Sequence, residues 1–200
     1  MGADKRHEDE QQGIGRRTLV RWFLGVGALS SLASMASVLG TVQPAGEGTT
    51  SEIKKGDRLL FATGSNKGDP VTSTSIVPGQ ATLVFPEDKE VQQNLIMVFH
   101  FHEQDLKKPT NLNWTPHGFV AYSAICTHLG CTVNFSHEGM EGAPFPHIHC
   151  PCHAAIFKPQ AGAQVIGGPA PRPLPQLPLT INANNELVAA GPFEAPVGVL

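Results

Sequence analysis

At 200 residues and a net charge of −3, the chain has room for one ordinary domain plus accessory segments, and it lacks the concentrated basic patch that nucleic-acid binding needs. An apolar content of 40% is enough for a core, while 21 Gly and 17 Pro favour turns and short strands over long helices. All four cysteines fall between residues 126 and 152, as do five of the nine histidines between 128 and 153. A disulfide framework would spread its cysteines along the chain to staple distant loops, so this clustering predicts a local site.

In chain order, residues 1–21 form a polar tail with five basic and four acidic groups. Residues 22–42 carry no charge over 21 positions. As a helix this run would span about 31 Å, close to a bilayer core of about 30 Å, and predicts a transmembrane anchor. Arg16, Arg17 and Arg21 precede it. By the positive-inside rule they leave the N-terminus in the cytoplasm and everything after Val42 on the extracytoplasmic, periplasmic side of the cell membrane. Two other readings stay open, a signal cleaved near Ser34-Met35-Ala36 and a buried helix of the globular domain. The stretch Arg16-Arg17-Thr18-Leu19-Val20-Arg21 resembles a twin-arginine export signal, with Gly15 and Leu19 in place of the usual Ser and Phe. Such a signal would export a protein already folded around its cofactor.

Residues 43–56 lack apolar periodicity and predict a flexible linker, which would either let the domain move or simply tether it. The domain itself is expected over 57–200, with strands at Arg58–Ala62, Ala81–Phe85, Leu95–Phe101 and Gly118–Ile125. Leu177, Leu179 and Ile181 alternate with other residues, and Asn184-Asn185 turns the chain back through Glu186-Leu187-Val188 as a hairpin. No stretch after residue 56 shows helical periodicity over twelve residues; Phe85–Asn94 is the best short candidate. The fold class is therefore mostly β, an antiparallel domain.

Two loops carry the chemistry, Cys126-Thr127-His128-Leu129-Gly130-Cys131 and Cys150-Pro151-Cys152-His153. Thiolate and imidazole suit iron or zinc, and six candidate ligands exceed what one tetrahedral metal needs. A structural Cys₂His₂ zinc site remains an alternative that would leave two cysteines unused. His137, His147 and His149 lie between the loops and read as exposed loop residues, and His100, His102 and His117 as surface or strand residues.

The loop pair C-T-H-L-G-C and C-P-C-H resembles the Rieske [2Fe–2S] family, in which two Cys hold one iron and two His the other. The resemblance implies Cys126 and Cys150 on the inner iron, His128 and His153 on the outer, and a Cys131–Cys152 disulfide tying the loops. Gly168-Pro169-Ala170-Pro171 resembles the proline loop that covers the cluster in cytochrome bc complexes, so the cluster-binding part would span about 120–172. The implied function is an electron-transfer subunit of a membrane quinol–cytochrome c oxidoreductase. Its partners would be a cytochrome b-like subunit and a c-type cytochrome, and His128 and His153 would meet quinol and take its proton. The alternative is the small Rieske subunit of a molybdenum oxidoreductase such as arsenite oxidase. Family members of high potential continue C-P-C-H-G-S-x-Y, with hydroxyls that donate to cluster sulfurs. Here Ala154, Ala155 and Phe157 stand at those places, which predicts a lower potential and a strongly reducing partner such as menaquinol.

Overall fold

The computed structural model describes residues 52–139 and 143–199. The tail at 1–21, the anchor at 22–42, the twin-arginine-like stretch and most of the linker lie outside the described residues. Among the described residues no helix is long and apolar enough to cross a membrane.

Strands β1 (Leu59–Phe61), β2 (Ala81–Pro86), β3 (Ile96–His100), β4 (Phe119–Ser123) and β9 (Gln176–Leu177) form an antiparallel sheet in the order β1-β2-β3-β4-β9. A second antiparallel sheet is built from β5 (Asn134–Ser136), β6 (His147–His149), β7 (Ile156–Lys158) and β8 (Gln164–Gly167), in chain order. The hairpin of β10 (Leu179–Ile181) and β11 (Leu187–Ala189) forms a two-stranded sheet, joined to the chain beside β1 by an isolated bridge between Arg58 and Val188. Mostly β architecture is thus as expected. Pro178, which has no N–H for a ladder, separates Leu177 in β9 from Leu179 in β10, so the expected single strand is divided between two sheets.

The unbroken apolar run of β3 follows from burial on both faces. Ile96 and Val98 join one core with Leu59, Val84, Phe119, Ala121, Leu177 and Leu187. Met97 and Phe99 point the other way, into a core shared with Tyr122, Ile148 and Phe157. The second core joins the two larger sheets, and Phe99 packs edge-on against Phe135 of β5 with centroids 5.1 Å apart. Within it the Tyr122 hydroxyl donates to the Pro159 carbonyl at 2.9 Å, and burial raises the phenol's pKa above its usual value.

Two expectations are corrected. Phe85–Asn94 is not a helix: Phe85 and Pro86 finish β2, Asp88 takes a left-handed φ of 59°, and only Gln92–Asn94 makes a 3₁₀ turn. The domain also begins before residue 57. Ile53 is 4% exposed in the first core, and the Gly56 N–H donates to the Ala189 carbonyl at 2.8 Å, so the last residues of the expected linker are folded onto the domain.

Candidate metal centre

Each cysteine-rich loop is the tip of a hairpin. Ile125 bridges Thr132 below the first loop, and His149 pairs with Ile156 below the second. Inside both, the same two backbone bonds recur. Cys126 N–H donates to Cys131 O (2.8 Å) and Gly130 N–H to Cys126 O (3.0 Å); Cys150 N–H donates to Ala155 O (2.8 Å) and Ala154 N–H to Cys150 O (3.0 Å). The residue four after each leading cysteine takes a left-handed backbone, Gly130 at φ 78° and Ala154 at φ 55°.

The loops meet. Cys131 and Cys152 form a disulfide with an S–S distance of 2.09 Å. The sulfurs of Cys131, Cys150 and Cys152 lie within 4.8 Å of one another, but the bridge leaves Cys150 the one thiol of the three. Cys126 and Cys150 are free and buried. Burial pushes the Cys126 thiol above its ordinary pKa, opposed by the N–H groups of His128 and Leu129 aimed at the sulfur, and the adjoining Cys150 thiol pushes it further up. Thiolate is the form that ligates a metal, so a cation bound here would take the place of the thiol protons.

The His128 and His153 rings stand perpendicular with centroids 4.8 Å apart. His128 is half-buried, His153 is exposed, and Leu129 beside them is 60% exposed. The His128 Nδ1 is buried without a hydrogen-bond partner. Nearby Ala155 and Phe157 are fully buried and present no hydroxyl.

The proline loop at Gly168–Pro171 lies against the second of these loops. A Cβ on Gly168 would fall 2.4 Å from the Ala154 carbonyl oxygen and 2.5 Å from the Ala155 Cα, a closeness only glycine permits. Ala170 is buried in the core, while Pro169 and Pro171 are exposed. Just beyond, the Thr127 hydroxyl donates to the Arg172 carbonyl at 2.7 Å, so the same segment touches both loops.

The remaining histidines stay apart from this group. His147 and His149 are not exposed loop residues. They occupy β6, the strand that delivers Cys150, and His147 is 1% exposed with its Nδ1 2.8 Å from the Phe145 carbonyl. Burial, and then the charge of His147, lowers the His149 pKa. His137 is exposed beside the Phe135 ring, His100 stacks on Phe119, and His102 and His117 are exposed. Thr127 and Arg172 drew no attention in the sequence, where neither forms part of a ligand spacing.

Two buried thiols and two facing imidazoles, carried on paired hairpin tips of a β domain, make a donor set of the kind found in metal-binding proteins that take iron or zinc. The family model for the Rieske [2Fe-2S] domain matches residues 71–178, and the chain belongs to that family. A Rieske respiratory nitrate reductase subunit of Haloferax mediterranei is 29% identical over 191 residues, covering 95% of this chain and 83% of that protein. A cytochrome bc1 complex Rieske iron-sulfur subunit of Streptomyces coelicolor is 32% identical over 209 residues, covering 97% of this chain; the chain spans 57% of that relative's length. Among solved structures, the soluble domain of Rieske protein II from Sulfolobus acidocaldarius matches with a TM-score of 0.44 at 19% identity, over 75% of this chain and 84% of that one. The cofactor is one Rieske-type [2Fe–2S] cluster. The residues present fit it: two free buried thiols, an orphaned buried imidazole nitrogen, and a bridge that removes the surplus cysteines from competition.

Proposed function

We propose that Cys126 and Cys150 hold one iron of the cluster and His128 and His153 the other, and that the chain is the redox subunit of a quinol–cytochrome c reductase complex. The observation that supports this reading is that two loops tied by a disulfide each carry one free buried thiol and one imidazole, with the two rings facing each other 4.8 Å apart and more exposed than the thiols. The bound cluster supplies reversible one-electron transfer. The protein's part is to hold it at the surface and to handle the proton. Ligation through the orphaned Nδ1 of His128 would leave Nε2 facing outward, and once that nitrogen has given up its own proton it could accept a hydrogen bond and then a proton from quinol; the exposed His153 ring offers a second such group. Leu129 and the prolines at 169 and 171 provide an apolar rim that would exclude water around a docked quinol ring. The electron would pass to a c-type cytochrome, with a cytochrome b-like subunit completing the complex.

The anchor at 22–42 and a periplasmic position for the domain belong to the same proposal. The Cys131–Cys152 bridge supports an oxidising compartment, since cytosolic thiols are kept reduced. The absence of hydroxyls at Ala155 and Phe157 supports a potential below the top of the range of about −150 to +300 mV, and hence menaquinol as the reductant. Redox titration of the full chain, followed by EPR of the reduced form, tests both. A spectrum of mixed His/Cys type is expected, and Ala155→Ser and Phe157→Tyr should each raise the midpoint. An all-Cys spectrum would overturn the ligand assignment, and unmoved midpoints would overturn the hydrogen-bond argument.

The Haloferax relative, matched over 95% of this chain, favours a second reading in which the subunit serves a respiratory nitrate reductase. Membranes with and without the subunit separate the two. Loss of quinol-dependent cytochrome c reduction supports the first, and loss of quinol-dependent nitrate reduction alone supports the second.

A further inference from the structure

A short hydrogen-bonded chain connects the C-terminal segment to the first of the two loops. The Arg172 guanidinium donates from Nη2 to the Gly198 carbonyl at 2.6 Å, and the Arg172 carbonyl accepts the Thr127 hydroxyl at 2.7 Å. Gly198 is buried in a left-handed conformation, and a Cβ placed on it would lie 3.4 Å from Ile125 Cγ2. Ile125 immediately precedes Cys126, so the segment reaches the root of that loop directly as well as through Arg172. Val197 packs on the core beneath. Farther back, the segment is fastened to β9 by two bonds, Glu194 N–H to Gln176 O (3.0 Å) and Gln176 N–H to Glu194 Oε1 (2.9 Å). Among the described residues Arg172 forms no ion pair, and its guanidinium meets the Gly198 carbonyl instead.

We propose that Arg172 and residues 194–198 form a brace that positions the Cys126–Cys131 loop, and through it the peptide groups available to hydrogen-bond a ligand sulfur there. This rests on the ligand assignment made above. Thr127 sits between the two proposed ligands of its loop, and its hydroxyl is held by the Arg172 carbonyl at 2.7 Å, so the peptides on either side of it, next to Cys126 and His128, are held as well. Fixing the Thr127 side chain fixes those peptides. Hydrogen bonds to a ligand sulfur stabilise the more negative, reduced cluster, so a loosened loop lowers the potential. Arg172 is a positioning residue in this scheme: its side chain reaches the strap, and only its carbonyl meets the loop.

The test uses the full chain loaded with its cluster, comparing wild type with Arg172→Gln, Arg172→Lys, Thr127→Val and the Thr127→Val/Arg172→Gln double variant. Redox titration and deuterium exchange are the readouts. Arg172→Gln is expected to shift the equilibrium several-fold toward the oxidised form, where a tenfold shift is about 59 mV for one electron. It should also speed exchange over 126–131 while leaving 150–155 unchanged. Arg172→Lys, which can still donate to the Gly198 carbonyl, should recover part of the shift. In the Thr127→Val background the Arg172 substitution should add less than it does alone. An Arg172→Gln protein with wild-type potential and exchange overturns the proposal, as does a full additional shift in the double variant. Removal of residues 195–200, which deletes the acceptor and leaves Arg172 in place, supplies a second perturbation with the same expected shift. A wild-type protein lacking a mixed His/Cys spectrum would instead overturn the ligand assignment, whatever the variants do.

Discussion

Replacing Ala154 by glycine should stabilise the protein, against the usual direction of such a change. Ala154 holds φ at 55° because the loop geometry demands it: its N–H closes the turn onto the Cys150 carbonyl at 3.0 Å, as Gly130 does onto Cys126. A left-handed backbone costs an L-residue about 1–2 kcal/mol. Glycine removes that cost but brings extra unfolded-state entropy, a penalty of about 0.5–1 kcal/mol. The net gain is about 0.5–1 kcal/mol. For a domain of this size that raises Tm by about 1–4 °C. The Ala154 residue is exposed, so little packing is lost with its methyl. Gly130→Ala is the reciprocal experiment. No atom lies within 4 Å of the Cβ it would gain, so its expected net loss, about 0.5–1 kcal/mol by the same accounting, is a backbone effect alone. Both variants should be scanned with the cluster bound and at one heating rate, since cofactor-bearing domains often unfold irreversibly. A lowered Tm for Ala154→Gly together with an unchanged one for Gly130→Ala would refute the reasoning.

Three further outcomes follow from the same contacts. Gly168→Ala should displace the proline loop, because the new Cβ would sit 2.4 Å from the Ala154 carbonyl oxygen and the obstacle is backbone; altered EPR linewidth of the reduced protein is the measurement. Opening the Cys131–Cys152 bridge as a Cys131→Ser/Cys152→Ser pair frees a loop of 21 residues' separation, for an expected loss of about 3 kcal/mol on the chain-entropy model, read by denaturant titration. Tyr122→Phe should cost about 1–3 kcal/mol, since the buried Pro159 carbonyl loses its 2.9 Å donor; a cost near zero would mean that another group satisfies it.

What could be read from the residues alone divides along the range of the interactions responsible. The run from Leu95 to Phe101 announced β3 because a strand buried on both faces must be apolar throughout, and that is a local property of the chain. The loop pair was legible for a similar reason: ligand spacing within a tight turn is fixed by a few consecutive residues, and in the structure Cys126 and Cys150 are free and buried while the His128 and His153 rings face each other at 4.8 Å. The second large sheet left no comparable trace. Its strands are three or four residues long, Asn134–Ser136 and His147–His149 among them, and each has few apolar positions to set a period. Their conformation comes from pairing with one another and from the core residues Phe135, Ile148 and Phe157. That is why His147 looked like a loop residue although it is almost wholly buried in a strand.

Long-range contacts at the site were hidden for the same reason, with consequences for how such a site is understood. Thr127 and Gly198 are far apart in the chain and meet through Arg172, whose charge in a run of prolines suggests nothing more than a soluble turn. Ala154 is hidden differently. An alanine argues for ordinary backbone, and only the matching bond pattern at Gly130, four residues after its own cysteine, reveals that the position calls for the left-handed region. On the proposed assignment the ligands and the missing hydroxyls at Ala155 and Phe157 are written in local sequence, while the stiffness of the loops around them is set by tertiary contacts. Cluster type and cluster potential thus rest on different residues, and substitutions at Ala154, Arg172 or Gly168 should retune the site without removing a ligand.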